Sequence, residues 1–167
     1  AHSLFSRFAF ENQKALRTGN ASSDSNEIDD ENRTRSLIVD HNWTLSQNKV
    51  NSLRVHVLKH YIGTVPHSDE VGISRPSITT GRNQVNPQFF PRTRIELHDT
   101  LYVSTSRHDL KFGGDVQWAD HDFEAHFFEK GVFVFGTDTP LNLNDERTWP
   151  ISFTMQKPGF FNYKSWE

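Results

Sequence analysis

Successive side chains of a β-strand point to opposite faces, so a strict two-residue alternation of apolar and polar positions tightly restricts the fold. This chain carries that alternation four times. Between Ser36 and Ser46 one side reads Leu37, Val39, His41, Trp43, Leu45, and the other Ser36, Ile38, Asp40, Asn42, Thr44, Ser46. Ser52 to Tyr61 sets Leu53, Val55, Val57, Lys59 and Tyr61 against Ser52, Arg54, His56, Leu58 and His60. Arg94 to Ser104 sets Ile95, Leu97, Asp99, Leu101 and Val103 against Arg94, Glu96, His98, Thr100 and Tyr102. His108 to Asp120 sets Leu110, Phe112, Val116 and Trp118 against Asp109, Lys111, Asp115 and Gln117. Leu4 to Glu11 is a fifth, less regular case, and no stretch of similar length carries a helical repeat. The expectation is an all-β chain of two-faced antiparallel strands.

The connections sort by length. Gln47-Asn48-Lys49 and Thr105-Ser106-Arg107 are short polar turns of the kind that close hairpins. Residues 18–33, 63–91 and 122–166 form long connections rich in Gly, Pro and acidic residues, with only Val132–Phe135 as a short apolar piece. Every short turn falls at one end of the strands and every long loop at the other. Gly113-Gly114, inside the fifth strand, marks an expected bend or bulge.

Composition removes several function classes. The 167 residues include no cysteine, which excludes disulfides, thiolate zinc sites and cysteine nucleophiles. With 13% aromatics the chain is too rich in large apolar rings for disorder throughout. No apolar run reaches the ~18 residues of a membrane helix. A net charge of −3 without a basic block gives no footprint for nucleic acid. Residues 1–11 show no signal peptide, which fits a cytosolic protein, a processed one or an excised segment.

Two environments suit strands with one apolar and one polar face. One is a soluble β-sandwich, secreted or periplasmic, binding a carbohydrate or another ligand. The other is a transmembrane β-barrel, with the apolar face in lipid and the polar face lining the lumen. Barrel strands need only ~9–11 residues to span, and barrels have short turns on one side and long loops on the other. The 34% hydrophobic share suits the barrel, since only alternate residues must be apolar. Trp43, Tyr61 and Trp118 lie near strand ends on the apolar side, where an interfacial girdle belongs. Arg54, His56, His60, Glu96, His98 and Tyr102 then face inward and become candidates for touching a plug or a passing solute.

Several segments carry a family resemblance. Arg107-His108-Asp109-Leu110-Lys111-Phe112-Gly113-Gly114-Asp115 resembles a strand of large TonB-dependent outer-membrane receptors, notably the Oar-like group. Arg94 to Leu101, Val50 to Arg54 and Gly131 to Gly136 resemble three further segments of that family, in the same order and spacing. One departure is Ser106, where the family has Gly. The resemblance implies a plugged barrel of about 22 strands, of which this chain supplies a part without the plug. It also implies energised uptake of a solute across a Gram-negative outer membrane. The partners implied are the remainder of the barrel, a plug domain, TonB and the lipid bilayer. All of residues 1–167 are expected to form one barrel segment.

Other chemistry is thinly supported. His56 and His60 share a face, but four strand residues cover ~13 Å, too far for one metal. His121 and His126 with Asp120, Asp122 and Glu124 form a denser group without full zinc spacing. Asp24, Glu27, Asp29, Asp30 and Glu31 lack the order of a calcium loop and read as a solvated acidic run. Three Asn-x-Ser/Thr triplets, at Asn20, Asn32 and Asn42, are too short to be specific. Nucleophile elbows, phosphate loops and zinc-protease motifs are lacking, so no enzyme activity and no cofactor are expected.

Overall fold

A computed structural model describes residues 1–18, 23–156 and the backbone of 161–166. The long alternating stretches are all strands: β1 His2–Arg17, β2 Ile28–Ser46, β3 Lys49–Pro66, β6 Gln88–Ser104 and β7 Asp109–Ala125. With β10 (Phe161–Trp166) they form one antiparallel sheet in the order β1-β2-β3-β6-β7-β10. Among the described residues this sheet is open, with β1 and β10 at its edges.

Gln47 and Asn48 alone separate β2 from β3, and the Asn48 amide donates to the Ser104 carbonyl at 2.9 Å, tying the two short turns together. In the β6–β7 turn the Thr105 hydroxyl accepts from the His108 amide at 2.9 Å. The β2–β3 ladder shifts register only at Leu45, between Thr44 and Ser46. Of the bend or bulge expected at Gly113-Gly114, a bulge is excluded, since the β6–β7 ladder passes both without a shift. Gly113 is small for another reason: a Cβ there would strike the Asp99 carbonyl and crowd the Thr100 hydroxyl.

The register stacks the apolar alternates of all five long strands on one face. Phe8, Leu37, Val57, Ile95 and Trp118 form one row, and Ser6, Val39, Val55, Leu97 and Val116 the next. The rows continue to Val103 and Leu110 near the short turns. Among the described residues no second sheet covers this face. Phe10 is 77% exposed, Leu4 71%, Val116 68% and Phe8 65%. A soluble sandwich would bury them, at ~1.5–3 kcal/mol per large side chain. The soluble alternative is therefore not the arrangement this chain adopts.

The strands outrun the apolar band. From Ile95 to Val103 the band occupies nine residues of β6, whereas the strand has 17. The remainder projects toward the long loops. Consequently the connections are shorter than residues 18–33, 63–91 and 122–166: Ile28–Arg33, Gly63–Pro66, Gln88–Pro91 and Asp122–Ala125 belong to strands. Polar residues on both faces hide these extensions from a hydrophobic-periodicity argument.

The long connections also fold. Gly72–Ser74 (β4), Thr79–Thr80 (β5), Val132–Phe135 (β8) and Pro150–Thr154 (β9) make a second sheet, ordered β5-β4-β8-β9, in which β4 and β8 run parallel. Val132 and Phe135 are buried in it, and the Phe133 and Phe153 rings lie 4.5 Å apart. The Arg75 guanidinium sits 4.1 Å from the centre of the Phe135 ring and donates to the carbonyls of Thr137 and Thr139. Strands this short carry no readable periodicity, so the sequence shows only β8.

Candidate functional site

The face opposite the apolar rows is mostly polar, interrupted by Ile38, Val50 and Leu58, and five of the six candidate residues meet there in two adjacent rows or just beyond. The Arg54 guanidinium donates to both Asp40 oxygens, at 2.5 and 3.2 Å, while His98 lies directly opposite Arg54 on β6. His56 and Glu96 form the next opposed pair, with His56 Nδ1 to Glu96 Oε2 at 2.8 Å. His56 Nε2 lies 3.0 Å from the Ser36 hydroxyl, and Arg94 Nε is 3.3 Å from the other Glu96 oxygen. His60 lies one row past Leu58 and pairs with the Asn32 side chain at 3.0 Å. Tyr102 stands apart, near the short turns, where the Lys111 ammonium lies 5.5 Å from its ring centre. The inward face of β3 and β6 thus follows the sequence alternation at every candidate position.

Sequence inspection missed Ser36, Asp40, Asn32 and Arg94 as members of this network. Ser36 and Asp40 stand on the polar side of their strand, but only the β2–β3 register sets them beside His56 and Arg54. With Glu96 accepting from Nδ1–H, His56 Nε2 is left as acceptor for the Ser36 O–H. The order serine, imidazole, carboxylate is that of a hydrolytic triad. Acyl transfer also needs free donors for an oxyanion. Here His56 faces Glu96 directly across the β3–β6 ladder and Ser36 reaches it diagonally from the Leu58 row, all within strands whose backbone N–H groups bond between strands. In place, the trio cross-links three strands.

His121 and His126 take separate positions. His121 lies opposite Arg92 in the ladder, whereas His126 engages Glu124 at 2.9 Å and Glu129 at 3.7 Å. Among the described residues no three His, Asp or Glu side chains gather as a metal site. The acidic run is not merely solvated, as the sequence suggested. Asp30 pairs with Arg17, Glu31 with Lys14 and Arg33, and Asp29 with His67 at 3.1 Å. A hydrogen bond from Lys14 holds the Glu31 carboxyl below its ordinary range, and Lys14 is raised in turn. Both lie beyond the apolar band. Asn32 and Asn42 are strand residues, and the Asn20 triplet lies outside the described residues.

A sequence model of the outer membrane beta barrel domain matches residues 1–153. The chain belongs to that family. No curated protein and no solved structure matches it. In an outer membrane beta barrel domain the uncovered apolar rows face lipid and the polar network faces the interior. Nine residues of β6 suffice for the band, in line with the ~9–11 needed to span. Trp43, stacked on His2 at 5.2 Å, marks the short-turn edge of the band, and Trp118 marks the other. Four of the polar residues on the outward face sit in pairs: Asn51 donates to Asp99 at 2.8 Å, and His2 lies 3.1 Å from His41.

Proposed function

We propose that this outer membrane beta barrel domain is a wall segment of a TonB-dependent receptor of the Oar-like kind, serving energised, non-enzymatic uptake of a solute in a Gram-negative bacterium. The observation that carries the proposal is the inner face, where Arg54, His56, Glu96 and His98 stand within the depth of the apolar band and Asn42, Ser52, Thr100 and Lys111 continue the polar lining toward the short turns. Such a wall suits polar contents, whether a plug or a solute, and is needless for a barrel packed with apolar side chains. The four ordered segments resembling that receptor family support the same choice. The open edges at β1 and β10 call for further strands to close the barrel, since unpaired backbone is costly in lipid. In this scheme the folded long connections meet the solute first. Arg54, His56, His60, Glu96, His98 and Tyr102 then offer donors and acceptors along the wall, and TonB acts through a plug.

The test is binding of the energy-coupling partner. The protein, purified from outer membranes in its natural length, would be titrated with the soluble periplasmic domain of TonB from the same organism. Saturable binding in the micromolar range that vanishes on removal of residues N-terminal to the barrel supports the proposal. No binding up to ~100 µM, together with undiminished solute uptake in cells lacking TonB, refutes it.

A further inference from the structure

The outward face carries an unneutralised cationic cluster one row beyond the apolar band. Arg35 on β2 and Lys59 on β3 are direct cross-strand partners in the row that follows Leu37, Val57 and Ile95. Like charges placed directly opposite destabilise a sheet. Neither Arg35 nor Lys59 has a side-chain ion pair or hydrogen bond among the described residues. The next row adds Arg33, exposed and opposite Tyr61, with its guanidinium 5.3 Å from the centre of that ring. Arg33 has one acidic contact, Glu31 at 2.5 Å, and Lys14 shares that carboxylate at 2.8 Å. Asp120 stands on the Lys59 row but two strands away, beyond Thr93, and is itself already partnered. Between these side chains the surface sinks into a cavity of about 290 Å³, lined by Arg33, Arg35, Lys59, Tyr61, Pro91 and Thr93 among others.

Position decides what fills it. Lys59 lies two positions along the strand from Val57, a rise of ~7 Å, so the cations stand where hydrocarbon gives way to headgroups. They lie on the long-loop side, which in bacterial barrels is the external leaflet. The stems of Arg35 and Lys59 can run along the apolar rows while their heads reach outward. Arg forks bind phosphate bidentately, and Lys adds a point charge. We propose that this cavity binds the phosphate-bearing headgroup of an anionic lipid in the outer leaflet, with Arg35 and Lys59 as its principal ligands. Arg33, held against Tyr61, forms the upper rim. The bound anion relieves the Arg35–Lys59 repulsion and fixes the height of the barrel in the bilayer.

The experiment uses the complete protein in phosphatidylcholine nanodiscs containing a small fraction of spin-labelled phosphatidylglycerol. Its association with the protein surface is compared with that of spin-labelled phosphatidylcholine. Wild type is expected to prefer phosphatidylglycerol several-fold, and the preference should fall as salt rises. The double variant Arg35→Gln/Lys59→Gln should lose most of that preference, Lys59→Arg should keep it, and Arg107→Gln at the opposite end should be without effect. Folding of each variant is checked by the heat-dependent gel shift of the intact barrel. Undiminished preference in the folded double variant overturns the proposal. So does displacement of the labelled lipid by millimolar inorganic phosphate, which would make the site a receptor for a free anion.

Discussion

Replacing Leu97 by lysine tests the assignment of the two faces directly. Leu97 belongs to the row Ser6, Val39, Val55, Leu97, Val116, all outward. It lies two residues from Ile95 at one edge of the band and six from Val103 at the other. At ~3.4 Å per residue and a tilt of ~40°, those separations are about 5 and 16 Å of depth, which puts Leu97 ~5 Å from the middle of the band. A lysine on the lipid face costs ~2–4 kcal/mol at the midplane and ~0–1 kcal/mol at the interface. Interpolation gives about 1–2.5 kcal/mol for Leu97→Lys, a ~5- to 60-fold shift of the folding constant. His98, the very next residue, points to the opposite face between Arg54 and Asp115, whose opposite charges offset each other, and His98→Lys should cost under ~0.5 kcal/mol, as surface changes usually do. Both are read from urea unfolding of the complete protein in phosphatidylcholine vesicles, followed by tryptophan fluorescence. Equal effects for the two variants, or a Leu97→Lys cost below ~0.5 kcal/mol, would refute the assignment of lipid to the Leu97 face.

Other expectations concern the projecting part of the molecule. Gly81 has φ +76° and its Cβ would collide with the Val71 carbonyl, whereas Gly114 has open space; Gly81→Ala should cost ~1–2 kcal/mol or more and Gly114→Ala almost nothing, read as hydrogen-exchange protection of β4 and as global stability. The Arg82 side chain, only 11% exposed, bridges Asp69 and Glu129, so Arg82→Met should lower the stability of the small sheet by about 1–2 kcal/mol after allowance for its solvated partners, visible as faster protease nicking around residues 68–85. The Glu31 carboxyl is held low in the folded protein by Lys14, so its contribution is present above the ordinary carboxylate range and disappears as pH falls through the lowered value. Wild type should therefore lose more stability than Glu31→Gln between pH 7 and the acid limb, and parallel titration curves for the two would remove that role.

How far the sequence speaks depends on what each element is made of. Leu37, Val39, Val55, Leu97 and Val116 announce their face because lipid demands apolar groups at every second position. The extensions beyond, such as Glu31 to Arg35 on β2, have no such demand and alternate nothing visible. Their strand character comes from pairing with β1 and β3, a long-range property. The same holds for the inner wall. That Arg54, His56 and Glu96 share a side is legible in one strand each, but that Ser36 reaches His56 requires the register between strands. The outward cluster was hidden too. Arg33, Arg35, Lys59 and Tyr61 come from two strands, and Lys59 looked like one blemish in an apolar side.

The surplus length of the strands has a mechanical consequence. Gln88 to Ile95 carries β6 seven residues past the band, roughly 18 Å of added height at the same tilt. Hydrogen-bonded ladders clad that height through β1, β2, β3 and β7, stiffened by the Arg17–Asp30 and Lys14–Glu31 clasps. Stiffness here moves a thermodynamic cost from one event to another. A slack loop surrenders its conformational entropy when a molecule arrives, at ~1–2 kcal/mol for each residue that becomes fixed. A collar built of paired backbone has already surrendered it during assembly. Whatever arrives at this rim meets a surface whose shape is set in advance and raised clear of the lipid.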